Sequence, residues 1–131
     1  VTVEVHIVTP VREVWTGDVQ ELIARGVDGE VGILGGHAPL LVQLAIGPLR
    51  MLMEGTSETR AVVDGGFLHV STHEGVTRAD VLAAHAELEQ EIDVEAARAR
   101  LSDLEGRSIE DDDEVAKGEI AKAAARIKLV G

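Results

Sequence analysis

The sequence predicts a β-sandwich or β-barrel followed by a helical hairpin, and three observations carry that reading. Up to about Ala86, short apolar runs recur roughly every eight to twelve residues with glycine turns between them. Beyond Glu91 glycine becomes scarce, Ala, Glu and Arg take over, and apolar residues fall at helical spacing. Between Gly29 and Leu41 lie Gly29, Gly32, Gly35 and Gly36, so the backbone there turns where side chains would clash. The change of character sets a boundary near Ala86–Glu91, with a β unit over 1–86 and a helical hairpin over 87–131.

The strands follow from period-two alternation. Val3, Val5 and Ile7 alternate with Glu4 and His6, and Pro10 ends that run. Val11–Trp15 comes next, and Thr16-Gly17-Asp18 reads as a turn. Val19–Ala24 and Val31–Leu34 follow, divided by Gly26 and Asp28-Gly29. Leu40–Ile46 reads as a strand ended by Gly47-Pro48, with Leu49–Met53 beyond it. Arg60–Val63 and Phe67–Val70 flank Gly65-Gly66, which reads as a tight turn, and Val76 opens the last strand.

In the hairpin, Val94, Ala97, Leu101 and Leu104 make one helical stripe. Asp93 stands before it as an N-cap, and Gly106 suits its end. Val115, Ala116, Ile120, Ala123, Ala124 and Ile127 make the second stripe. Asp111, Asp112 and Asp113 precede that helix, where negative charge complements the dipole, and Arg126 and Lys128 stand near its end. Many stripe positions are alanine and bury little area, so a docked hairpin and a released regulatory arm are both open.

Composition narrows the function. The 131 residues carry 12 basic and 24 acidic side chains, a net charge of −12. Such a surface repels phosphate backbones, which argues against nucleic acid as a partner. Trp15 and Phe67 are the aromatics, so the core is aliphatic. With no cysteine, disulfides, thiolate zinc sites and thiol catalysis are excluded. No apolar run approaches the ~20 residues of a membrane span, and Val1–Glu4 alternates unlike a signal peptide. A soluble, cytosolic protein is expected, with a start that is processed or trimmed.

No arrangement for catalysis is recognisable. Ser57, Ser71, Ser102 and Ser108 lack a nucleophile-elbow context, and the glycines lack the ending of a phosphate loop. His6, His37, His69, His73 and His85 show no metal-ligand spacing, and Glu110–Glu114 lacks the alternation of a calcium loop. His37, between Gly36 and Ala38-Pro39, is either a turn histidine or a contact at a partner surface. No catalytic residue, cofactor or metal is expected.

Three segments carry a family resemblance: Trp15-Thr16-Gly17, the Gly29-Glu30-Val31-Gly32-Ile33 run leading to Gly36-His37-Ala38-Pro39-Leu40-Leu41, and Val62–Val70 around Asp64-Gly65-Gly66. Together they resemble the epsilon subunit of bacterial F-type ATP synthase, over about Val3 to Lys128. The resemblance implies a β-sandwich of about ten strands and a C-terminal antiparallel helical hairpin. It implies a non-catalytic central-stalk rotor subunit that couples proton-driven rotation to ATP synthesis. The implied partners are the gamma subunit, the ring of c subunits and the alpha/beta catalytic hexamer. Gly29, Glu30, Gly36 and His37 are then the c-ring contact candidates. The hairpin restrains ATP hydrolysis, with Lys122, Arg126 and Lys128 meeting acidic loops of the hexamer. The implied location is peripheral, on the cytoplasmic face of the plasma membrane.

The chain departs from the family at Gly35, where proline is common, and this loosens the loop. Some relatives bind ATP on the hairpin through a motif like I-D-x-x-R-A. Here Ile92-Asp93-Val94-Glu95-Ala96-Ala97 puts Ala96 at the arginine position, which argues against ATP binding. Two other classes remain as alternatives: a cupin-like metalloprotein on a small β-barrel, and a generic binding module with a helical tail.

Overall fold

The computed structural model describes residues 2–107, 109, 110 and 112–131; the readings made on Ser108 and Asp111 lie outside them. Among these residues the chain forms eight strands: β1 (Val3–Val8), β2 (Glu13–Val19), β3 (Glu21–Gly26), β4 (Gly29–Leu34), β5 (Leu40–Leu52), β6 (Glu58–His73), β7 (Val76–Leu82) and β8 (Ala86–Leu88). A 3-10 turn at Glu89–Glu91 leads to α1 (Val94–Glu105) and α2 (Glu114–Val130).

The strand order is β2-β1-β7-β6-β5-β3-β4, with β8 beside β6. Neighbours are antiparallel except β1 and β7, which run parallel. One bent sheet thereby supplies both layers of a sandwich. The Phe67–His73 half of β6 joins β7, β1 and β2, whereas its Ala61–Val63 part pairs with β8. The Leu49–Leu52 part of β5 joins β3 and β4. Val3, Val5, Ile7, Leu68, Val70 and Val81 from the first layer meet Leu22, Ile33, Leu49, Met51, Ala61 and Val63 from the second. These aliphatic side chains alternate along their strands, which is why the core forms without large rings.

The count of eight, against about ten expected, has a definite cause. Gly47-Pro48 and Gly65-Gly66 do not end strands; β5 and β6 run through them as one antiparallel ladder from Leu40↔Val70 to Leu52↔Glu58. These residues form the corner where the long strands pass from one layer to the other. Gly65 and Gly66 hold φ of 80° and 114°, which side-chain-bearing residues rarely adopt. A Cβ on Gly66 would stand 2.2 Å from the Leu82 carbonyl oxygen. Opposite them β5 bulges, because β3 advances from Ala24 to Gly26 while β5 moves from Leu49 back to Leu44.

Thr16-Gly17-Asp18 is likewise not a turn but lies within β2, paired with β1. Gly17 serves the partly buried Trp15, whose ring would sit 2.7 Å from an added Cβ. The chain turns instead at Gln20.

Both helices begin as their caps dictate. Asp93 accepts from the Ala96 amide and Asp113 from the Ala116 amide, each at 3.0 Å. Ala97, Leu104, Ala123 and Leu129 are buried. The hairpin is docked: α2 packs on β5 and β6. Val62 is fully buried although it points away from the core that Ala61 and Val63 fill, so this outward face lies under the hairpin.

Candidate functional site

Three regions bear on function: the turn-rich segment around β4, the junction of sandwich and hairpin, and the uncovered face of the first layer.

The structure does not bring Glu30 and His37 together. Gly29–Leu34 is a strand, so the segment is not one loop. Glu30 stands beside the β3–β4 turn, exposed and paired in register with Arg25. His37 lies beyond the other end of β4, after about 13 Å of extended chain from Glu30 to Leu34. Gly29 and Gly36 serve these two separate turns, with φ of 136° and 86°. At the His37 turn, the His37 amide donates to the Leu34 carbonyl at 3.1 Å. The Gly36 amide donates to Thr77 Oγ1 at 2.7 Å. The imidazole Nδ1 lies 2.7 Å from the Ala38 carbonyl oxygen, a local bond that orients the ring.

At the junction, Glu87, Glu89 and Glu91 alternate along one segment, and each is held by an arginine from a different element. Arg126 of α2 donates through Nε to Glu87 at 2.6 Å. Arg60 of β6 makes two bonds to Glu89, at 2.8 and 2.6 Å. Arg12, in the β1–β2 loop, makes two to Glu91, both 2.9 Å. These paired geometries are the strong form of the arginine–carboxylate contact. The bond from Arg12, seconded by the Leu88 amide, holds the Glu91 carboxyl below the ordinary carboxylate range.

Arg126 reaches further than its place near the helix end suggested. Its Nη1 and Nη2 donate to the two Asp64 carboxylate oxygens at 2.7 and 2.9 Å. Burial pulls its pKa down, but hydrogen bonds to Asp64 and then Glu87 outweigh that, and the net shift is upward. Lys122 pairs with Glu119 at 3.2 Å, and Lys128 lies exposed in the last turn of α2. Of the three cations proposed to meet a hexamer, Arg126 is thus occupied in this docked state.

A cavity of about 770 Å³ opens beneath the hairpin. Its lining sets Arg12, Arg100, Lys122 and Arg126 against Asp64, Glu87, Asp93 and Glu119. The cations are partnered already: Arg12 by Glu91, Lys122 by Glu119, Arg126 by Asp64 and Glu87, and Arg100, more loosely, by Asp103 at 3.7 Å and Glu119 at 4.0 Å. Among the described residues no group of three or more His, Asp or Glu could hold a metal ion.

The outer face of the first layer is bare. Phe67 and Leu82 are cross-strand partners, 49% and 52% exposed, and Leu41, opposite His69 and so two residues along the ladder from Phe67, is 66% exposed. Sequence reasoning missed this face, and also missed Asp64, Glu87, Glu89 and Glu91. The outward position of Phe67 was legible from its alternation with Leu68; the arginine partners, 29 to 79 residues from their carboxylates, were not.

Residues 2–89 match the family model for the ATP synthase Delta/Epsilon chain, beta-sandwich domain. The chain belongs to this family. The ATP synthase epsilon chain of Thermobifida fusca is 40% identical over 126 residues, covering 95% of this chain and 88% of that relative. That of Frankia casuarinae is 46% identical over 86 residues, 66% of this chain and 96% of the relative. Among solved structures, a chain of the Euglena gracilis mitochondrial ATP synthase OSCP/F1/c-ring assembly superposes with a TM-score of 0.74. The two are 28% identical, with 93% of this chain and 76% of that one covered. A Tetrahymena thermophila central stalk/c-ring chain, TM-score 0.59 at 15% identity, shares the fold. Membership of the epsilon family sets aside the cupin-like metalloprotein and the generic binding module. No helix of the described residues is long and apolar enough to cross a membrane.

Proposed function

We propose that this epsilon-family chain is a non-catalytic rotor component of an F-type ATP synthase. It couples proton-driven rotation to ATP synthesis, and its hairpin restrains ATP hydrolysis. One observation carries the reading: the hairpin covers one side of the sandwich and leaves Leu41, Phe67 and Leu82 bare on the other. A sheet face of that kind is costly to leave in water and suits a permanent neighbour. Gamma is the neighbour we assign to it, as the family resemblance implied.

The c ring meets the turns that carry Gly29, Glu30, Gly36 and His37. Because these turns lie at opposite ends of β4, we treat Glu30 and His37 as independent contacts. The alpha/beta hexamer meets Lys122, Arg126 and Lys128 of a released hairpin. Sandwich and hairpin act as two units that join at Ala86–Glu91. The whole sits peripherally at the cytoplasmic face of the membrane. ATP binds the hairpin weakly or not at all, because Ala96 offers no donor and the cavity's cations are neutralised. Calorimetric titration of the full chain tests this; micromolar affinity for ATP overturns it.

The decisive experiment truncates the chain after Glu91 and measures ATPase activity of the reconstituted complex. A rise identifies the hairpin as a brake, and unchanged hydrolysis removes that part of the reading.

A further inference from the structure

We infer that Arg126 is a charge latch: its guanidinium, locked between Asp64 and Glu87, does more than the small apolar contact around Val62 to hold the hairpin on the sandwich. The inference concerns docking of the chain itself. It deepens the function proposed above, on which its regulatory meaning rests.

The packing that could otherwise hold the hairpin is thin, although Val62 of β6 is fully buried beneath it. The buried residues of α2 are Ala123 and Leu129, and those of α1 are Ala97 and Leu104. Only Leu104 and Leu129 of these four are large, alanine removes little apolar area from water, and part of what both helices bury goes to each other. The polar contact is the opposite case. The side chains of Arg126 and Asp64 are 13% and 5% exposed, so water screens them poorly. Arg126 bonds both oxygens of Asp64, one of Glu87, and the Lys122 carbonyl at 3.0 Å within its own helix. The three bonds to Asp64 and Glu87 fix the turn of α2 that carries Arg126 against the sandwich, and the fourth holds the side chain to its own helix.

The connections also have the form of a latch. Asp64 precedes the Gly65-Gly66 corner of β6, and its amide donates to the His85 carbonyl at 3.0 Å. Glu87 lies in β8, on the sandwich side of the linker. Arg126 therefore grips two rigid parts of the β-scaffold from the last helix of the chain. Ion pairs such as Arg98–Glu95, Arg107–Asp103 and Lys122–Glu119 stay within the hairpin. They stiffen it and do not dock it. Truncating one partner of a buried pair leaves the remaining charge stranded, so the docked state loses more than the contact itself.

Hydrogen exchange on the full-length chain tests the latch without any other subunit, so its outcome stands apart from the proposed function. In Arg126→Gln, amides of α2 are expected to lose protection by about tenfold or more, with β1, β3 and the core of β6 unchanged. Glu87→Gln keeps the Asp64 pair and is expected to fall between wild type and Arg126→Gln. Unchanged α2 protection in Arg126→Gln overturns the latch in favour of packing. Loss of protection in the core strands as well also overturns it, because Arg126 would then support the sandwich and not the docking. Should Arg126→Gln fail to fold, Glu87→Gln decides alone: an α2 loss supports the latch, and wild-type protection overturns it.

Discussion

The amide of Gly36 donates to the hydroxyl of Thr77 at 2.7 Å, tying the turn that carries His37 to a strand 41 residues further on. Thr77 is 2% exposed, so the bond is made at the rim of the core and positions a surface turn from within. The Gly35-Gly36 turn is thus restrained by a hydrogen bond from outside it.

Thr77→Val keeps the shape and removes the acceptor. It is expected to cost about 1 kcal/mol of unfolding free energy and to speed exchange of the Gly36 amide. Urea denaturation and amide exchange check both. Wild-type exchange at Gly36 in the variant would show that the turn holds itself.

Two glycine substitutions should act in opposite directions. Gly66→Ala places a Cβ against the Leu82 carbonyl at a φ of 114°, and is expected to destabilise the fold by more than about 2 kcal/mol. Gly118→Ala meets nothing within 4 Å on α2, and should stabilise that helix by about 0.8 kcal/mol. Thermal unfolding distinguishes them, and equal shifts would contradict the corner assigned to β6.

Acid should loosen the linker at Glu91. Its carboxyl is held below the ordinary range in the folded chain, so the contribution is fully present above the unfolded pKa. It is lost as pH falls through the depressed folded value. The Arg12 guanidinium resonances, followed by NMR on acidification, should report a release step. Glu91→Gln should abolish that step, and its persistence would assign the titration elsewhere.

Phe67→Ser should leave the stability of the chain within about 0.5 kcal/mol of wild type, since the ring lies on an uncovered face. Incorporation into the central stalk should weaken. Normal assembly at limiting subunit concentration would remove the face from the proposed gamma contact.

Glu30→Ala and His37→Ala should affect binding to a c-ring preparation additively, because one strand separates the two turns. A coupling energy above about 0.5 kcal/mol in the double variant would mean that they form one site after all.

Alternation made much of this architecture legible. Val3, Val5 and Ile7 against Glu4 and His6 gave β1, and Asp93 and Gly106 bounded α1. Gly47-Pro48 and Gly65-Gly66 were misleading because glycine marks both the end of a strand and a bend within one. Only the ladder from Leu40 to Leu52 distinguishes the two, and its partner lies elsewhere in the chain. Glu30 and His37 looked adjacent because the intervening Val31–Leu34 is short in sequence, yet an extended strand is long in space. Arg126 looked like a charge tuned to a helix end, since nothing local points to Asp64, 62 residues earlier.

The shared strands β5 and β6 have a mechanical corollary. In a sandwich of two separate sheets, shear between layers is opposed by side-chain interdigitation alone. Here two backbones and the ladder between them turn the corner at Gly47 and Gly66, so displacing one layer along the other means stretching covalent chain. A load applied near His37 passes through β5 into the opposite layer without relying on the softest contacts of the molecule.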